Sequence, residues 1–417
     1  MKHTVGWSQT SSVERSAWIA VALLWPVALL NYLDRQIFST MKEAIIAGVP
    51  DIVTDGRFGE LMAVFLFVYG VFSPVGGYVA DRFNRRWVIV GSLFVWSAIT
   101  WLTGHAQTYD QLWWARAFMG ISEACYIPAG LALIADFHSG GTRSRAVGLH
   151  QSGIYLGIVL GGMGGYIAES SHGWRAGFTW FGLAGVLYAL VLVLFLKEAP
   201  RPAGDTAQPR VSVSSSLHEL LSVSGFILLV LYFTLPAMPG WVVKSWMPAL
   251  LAETFHIGQG KAGVSATLWV TLASLAGVLV GGALSDRWTR RNQRGQIYTS
   301  AIGMALCIPA LFGIGYATTL AVAVAFLILF GLGWGFFDAN NMPILCQIVP
   351  PRLRATGYGM MNLVSITVGG FAVKRVGAMR DAGTQPAVIF TICAIAAAIA
   401  VVLVLLIKPR PITPETI

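Results

Sequence analysis

The chain has 417 residues, of which 56% are hydrophobic and 11% charged, with a formal net charge of +9 and a mean hydropathy of +0.68. A water-soluble domain carries about 25% charged residues, so this chain cannot cover a surface that faces water, and a lipid bilayer must cover most of it. The positive excess lies in short connections between apolar runs, where it orients a chain in a membrane; nucleic acid is excluded as a partner on that ground.

A membrane-spanning helix needs about 20 mostly apolar residues. Runs of that kind predict helices over 17–40, 58–80, 87–105, 109–136, 144–168, 175–196, 222–251, 262–285, 295–316, 319–348, 355–380 and 385–407. The first run passes into polar sequence without a small-residue cleavage site, so it reads as a spanning helix and not as a cleaved leader. An even count places both termini on one side. Arg82, Arg85 and Arg86, then Arg143 and Arg145, Lys197, Arg201 and Arg210, Arg287, Arg290, Arg291 and Arg294, Arg352 and Arg354, and Lys408 and Arg410 occupy one alternate set of connections. The opposite set, such as 43–60, is mixed or acidic. That asymmetry predicts a multi-pass membrane protein with both termini cytoplasmic. Residues 198–218, with Pro200, Pro202, Pro209 and Ser214-Ser215-Ser216, read as a cytoplasmic linker carrying a short surface helix. Cys125, Cys307, Cys346 and Cys393 fall inside apolar runs with no CxxC pair, as small packing residues do.

Two stretches recur about 200 residues apart, the mark of a duplicated chain. Gly76-Gly77-Tyr78-Val79-Ala80-Asp81-Arg82-Phe83-Asn84-Arg85-Arg86 returns as Gly281-Gly282-Ala283-Leu284-Ser285-Asp286-Arg287-Trp288-Thr289-Arg290-Arg291. Arg143-Ser144-Arg145-Ala146-Val147-Gly148 returns as Arg352-Leu353-Arg354-Ala355-Thr356-Gly357. In a hydrophobic chain, duplicated halves point to a transporter with its site where the halves meet. Asp81 and Asp286 are placed to bond helix N-termini in the opposite half, where dipole and free N–H groups favour negative charge. With Arg85 and Arg290 they would form a gating latch; topology signalling by the arginines is the plainer reading.

A charge at bilayer depth costs roughly 2.5 kcal/mol or more. Asp34 and Arg35, Arg116 and Glu123, Lys244, Asp338, and Lys374 with Arg375 therefore each need a reason. Arg116 and Glu123, two turns apart, share a helix face about 10 Å long. With Asp34 at compatible depth, that face is expected to line a water-filled cavity. One reading is a fixed ion-pair network. The other is functional: a partly desolvated carboxylate takes up a proton, and a guanidinium grips a carboxylate or phosphate. Lys244 either snorkels to an interface or lines the cavity, and Asp338 with Asn340 and Asn341 lies too near mid-helix to snorkel. Arg375 reads as snorkelling. Tyr69 either packs or points its hydroxyl into the cavity. Gln151 is a packing hydrogen bond or a substrate contact. Gly157, Gly161, Gly162, Gly164 and Gly165 predict close helix packing.

The doubled G-x-x-x-D-R-x-x-R-R pattern resembles the loop signature of the major facilitator superfamily, and the likeness covers essentially the whole chain. It implies an all-α membrane protein of about twelve transmembrane helices in two six-helix bundles, 1–197 and 219–417, joined by the 198–218 linker and cycling by alternating access. Asn31-Tyr32-Leu33-Asp34-Arg35 with Arg116 and Glu123 resembles the anion:cation symporter family. That resemblance implies proton-coupled symport of a small organic anion, a sugar acid or carboxylate, in a bacterial inner membrane. It matches Asp34 and Glu123 to proton-coupling carboxylates and Arg116 to an anion-binding arginine, and more loosely Tyr69 and Gln151 to positions that touch substrate; Arg35 is carried as a further substrate-binding candidate. The same residues, with Gly120-Ile121-Ser122-Glu123-Ala124, also resemble spinster-like lysolipid transporters. Lys244 and Asp338 fit neither pattern and are carried as substrate-binding candidates with Asn340 and Asn341. A monomer without cofactor or metal is expected. The other classes are weaker: a non-transporting sensor would want an appended cytoplasmic domain, and an enzyme a HExxH, GxSxG or Walker sequence, none of which appears. Without an ATP-binding module, pumping must draw on an ion gradient.

Overall fold

The computed structural model describes residues 7–138, 142–199, 213–350 and 353–409. Every regular element among them is a helix: α1 (Trp7–Thr40), α2 (Lys42–Gly48), α3 (Asp55–Arg82), α4 (Arg85–Thr103), α5 (Tyr109–Ala124), α6 (Tyr126–Phe137), α7 (Arg143–Gly162), α8 (Gly164–Glu169), α9 (Gly173–Phe195), α10 (Val213–Ser222), α11 (Ser224–Phe255), α12 (Gln259–Thr289), α13 (Gly295–Gly315), α14 (Leu320–Ile348), α15 (Arg354–Asp381) and α16 (Pro386–Leu406). Eleven segments are long and apolar enough to span a membrane, with α5–α6 and α7–α8 each counted as one. The twelfth expected span is α15, whose apolar run is diluted by Gly357, Gly359, Asn362, Ser365, Gly369 and Gly370.

The helices predicted over 109–136 and 144–168 are each broken. The first breaks at Cys125, just ahead of Pro128, whose missing N–H cannot bond back to Ala124. The second breaks at Met163, amid glycines. The surface helix expected in the linker is α10; residues 200–212 lie outside the described residues.

The chain divides into two compact units, Met1–Asp51 with Val71–Pro209, and Ile52–Gly70 with Arg210–Ile417. In the first, α7 lies against α1 through a glycine stripe. Gly153 faces the backbone of Trp25, Gly157 that of Leu29, and Gly161 that of Leu33, and a Cβ at any of the three would meet main-chain atoms. The four-residue steps match on both helices, so backbones meet as in small-residue membrane packing. Thr40 Oγ1 closes the seam by donating to Gly161 O at 2.9 Å. In the second unit α12 and α14 repeat the device, Gly277 facing Leu332 O and Gly331 facing Val270 O.

Arginines hold the helix ends in both units. Arg143 donates to His138 O at 3.0 Å and Ala135 O at 3.1 Å. Arg354 does the same to Val349 O at 3.3 Å and Cys346 O at 3.1 Å. Each spans the C-terminal end of the preceding long helix, where unsatisfied carbonyls and the helix dipole favour a cation. Arg86 donates to Val193 O near the end of α9, and Arg294 to Leu405 O near the end of α16.

The second unit also contains the start of α3. The Asp381 carboxylate accepts from the N–H groups of Asp55 and Gly56, both at 2.8 Å, and so caps α3 from the far end of α15. Arg380 pairs with Asp55 at 2.7 Å and with Glu253, and Lys374 pairs with Glu60 at 2.6 Å. Asp381→Ala frees two helix-end donors at once and is expected to cost about 1 kcal/mol. Thermal unfolding in detergent should show a lowered midpoint, with Asp381→Asn intermediate.

Candidate functional site

The glycine seam turns one side of α1 against α7 and leaves Asn31, Asp34, Arg35 and Phe38 on the other. These positions are three or four residues apart, one face of a helix. Across from them stand Trp96 and Thr100, one turn apart on α4, and Arg116, Met119 and Glu123 on α5.

Arg35 Nε donates to Glu123 Oε2 at 2.6 Å. Thr100 Oγ1 donates to Asp34 Oδ2 at 3.1 Å, and the Trp96 indole faces the same carboxylate. The Arg116 guanidinium lies 4.6 Å over the Phe38 ring and donates to Met119 Sδ at 3.5 Å. It interacts electrostatically with Glu123, Arg35 and Asp34. Two carboxylates and two guanidiniums thus form one electrically balanced group inside the first unit.

Asp34 is 1% exposed, Arg116 4% and Glu123 0%. Arg35 is half-buried, so three of the four charged side chains are buried and one is partly exposed. Glu123 Oε1, Asp34 Oδ1 and both amide atoms of Asn31 are buried and make no hydrogen bond among the described residues. A buried charged oxygen without a partner is costly; protonation removes that charge.

The other candidates fall elsewhere. Tyr69, half-buried, stacks on Phe65 with centroids 5.8 Å apart. Gln151 is half-buried on α7, beside Ser152, which accepts from Trp25 Nε1 at 3.0 Å. Lys244 and Asp338 are exposed within the second unit, and Asn340 and Asn341 are buried. Asn340 Nδ2 donates back to Phe336 O at 2.8 Å. Of the gating residues, Arg85 pairs with Asp136 and also donates to Ala132 O at 3.3 Å. Asp286 and Arg290 are exposed at the end of α12, and the Asp81 side chain lies outside the described residues. The four cysteines are free.

Sequence reasoning missed Thr100, Trp96 and Phe38 as partners of the charged quartet. The only available signal was a threonine one turn after a tryptophan in an apolar run.

A model of the major facilitator superfamily matches residues 24–374. The chain belongs to this superfamily. Its family and fold are those of multi-pass membrane transporters. Among relatives, spinster homolog 1 of Xenopus laevis is 28% identical over 390 residues, covering 86% of this chain and 71% of that protein. An MFS-type efflux pump of Mycolicibacterium smegmatis is 28% identical over 374 residues, covering 89% and 86%. Among solved structures, a bacterial homologue of the human lysosomal transporter spinster superposes with a TM-score of 0.78 at 21% identity, covering 93% of this chain and 95% of that one. A D-xylose-proton symporter superposes with a TM-score of 0.74 at 17% identity, covering 93% and 97%. These two likenesses show the fold alone.

Proposed function

We propose that this superfamily member is a secondary active transporter that couples protons to the symport of a small organic anion, a sugar acid or carboxylate. The observation that carries the reading is the largely buried quartet of Asp34, Arg35, Arg116 and Glu123. Two carboxylates there share two permanent cations, and each retains an oxygen with no hydrogen bond among the described residues. Protonating either carboxylate leaves a guanidinium with surplus positive charge. An incoming anion restores the balance, so proton and anion enter a low-dielectric space more cheaply together than apart. Asp34 and Glu123 are the proton carriers, and Arg116 is the group released toward the anion.

A second reading is favoured by the relatives, which include spinster proteins and an efflux pump. There the same carboxylates would exchange protons against an amphiphile. Proteoliposomes containing the purified chain separate the two. Sugar acids, monocarboxylates, neutral sugars and lysolipids are offered with and without an imposed pH gradient. Gradient-driven accumulation of an anion supports symport; lysolipid movement alone supports the second reading and overturns the first.

Arg116→Lys keeps the charge and loses the fork of donors. Apparent affinity for the transported anion is expected to fall about tenfold, or about 1.4 kcal/mol. Wild-type affinity in that variant would place the anion elsewhere.

A further inference from the structure

The second unit carries a polar and aromatic site of its own. On α14, Ala321, Ala325 and Ile328 are exposed along one face, the face suited to lipid. Asp338 is exposed as well, yet ten residues beyond Ile328, which sets it about a quarter turn away from that face. A carboxylate midway along an apolar helix does not belong against hydrocarbon. Lys244 on α11 is exposed too and is the cation that acts on it.

Lys244 Nζ lies 5.3 Å from the ring centroid of Trp241 and 5.5 Å from that of Trp334. Two indole faces flank one ammonium, and both indoles are seated on glycine. The Trp241 ring covers Gly369 and the Trp334 ring covers Gly240, where a Cβ would collide with each ring. Trp334 continues into Phe337 with centroids 5.2 Å apart, so the wall behind it is aromatic. A lysine held by rings is partly stripped of water and attracts an anion more strongly than a hydrated one.

We propose that Lys244, Trp241, Trp334 and Asp338 form a binding site for an organic monoanion with an aromatic or similarly flat apolar body. Lys244 takes the anionic head, and the indoles take the body. Asp338 disfavours any second negative charge on the ligand. The accessible walls offer ring faces in place of the many donors a polyhydroxylated acid needs. The proposal rests on the organic-anion reading above and narrows it, setting sugar acids below aromatic carboxylates.

The test is calorimetric binding of benzoate, phthalate and gluconate to the purified full-length chain in detergent. Benzoate is expected to bind about tenfold more tightly than either of the others. Lys244→Gln should lower benzoate affinity about tenfold, while Lys244→Arg keeps most of it. Asp338→Asn should raise phthalate affinity severalfold, and by more than it raises benzoate affinity; a gain of binding cannot come from misfolding. Equal affinity for gluconate and benzoate overturns the ligand class, and unchanged benzoate binding in Lys244→Gln overturns the site. Either result leaves proton-driven anion uptake standing if the proteoliposomes show it. Lys244-dependent benzoate binding without any proton-driven uptake overturns the symport reading and keeps the site.

Discussion

Asp34→Asn and Glu123→Gln are each expected to abolish accumulation of substrate against its gradient while sparing exchange. The two carboxylates lie within one buried group, each with an oxygen that makes no hydrogen bond among the described residues. An amide of the same shape cannot exchange a proton, so a pH gradient has nothing to pull on. Binding and the conformational cycle need no net proton movement, so substrate-for-substrate counterflow should persist. The measurement is pH-driven uptake beside counterflow in the same proteoliposomes. Full gradient-driven accumulation in both variants would remove these residues from the coupling. Loss of counterflow as well would give them a structural role.

Removing Arg35 from its pair with Glu123 should be strongly damaging to the stability of the first unit. Glu123 is fully buried and Arg35 nearly so. Arg35→Gln leaves a buried carboxylate without its closest cation, a change that costs about 3 kcal/mol or more. Arg35→Gln with Glu123→Gln removes both charges and should regain a large part of that loss. A coupling of about 1–3 kcal/mol is expected from the double-mutant cycle. Unfolding followed by tryptophan fluorescence in detergent would measure it. Additive losses would show that the two side chains do not act as a pair.

The all-helical fold and its duplication were legible because apolar runs and a doubled loop motif leave little else to build. The charged quartet was legible for a related reason: ionised groups inside apolar runs stand out. Their partners were not. Spacing places Arg116 and Glu123 on one face of α5, yet the close ion pair of Glu123 is with Arg35, and the Arg116 guanidinium rests over Phe38. A phenylalanine in an apolar helix gives no sign that it will hold a cation. The same holds for Trp241 and Trp334, which are apart in sequence and meet only at Lys244.

In the second repeated motif the hydrogen bonding is offset from the sequence match. By sequence, Arg143 aligns with Arg352, and Arg145 with Arg354. By hydrogen bonding, Arg143 corresponds to Arg354, each reaching carbonyls five and eight residues back. Basic residues two apart look alike as letters, and only the preceding helix end tells them apart. Nothing in the sequence singles out Arg380, Asp381 and Asp55, which fasten α15 to the start of α3.

The arginine clamps bear on how such a chain is made. Arg86, Arg143, Arg294 and Arg354 all lie at or beside a helix start, among the basic residues whose charge is expected to orient the chain during insertion. Each later spends its guanidinium on carbonyls at a helix end. One side chain therefore acts twice, first as a bare charge and then as a shaped donor. Lysine meets the first demand and fails the second. Replacing Arg143 and Arg354 with lysine would yield a chain threaded correctly through the bilayer whose helix ends never lock, so that biogenesis and maturation come apart at a single functional group.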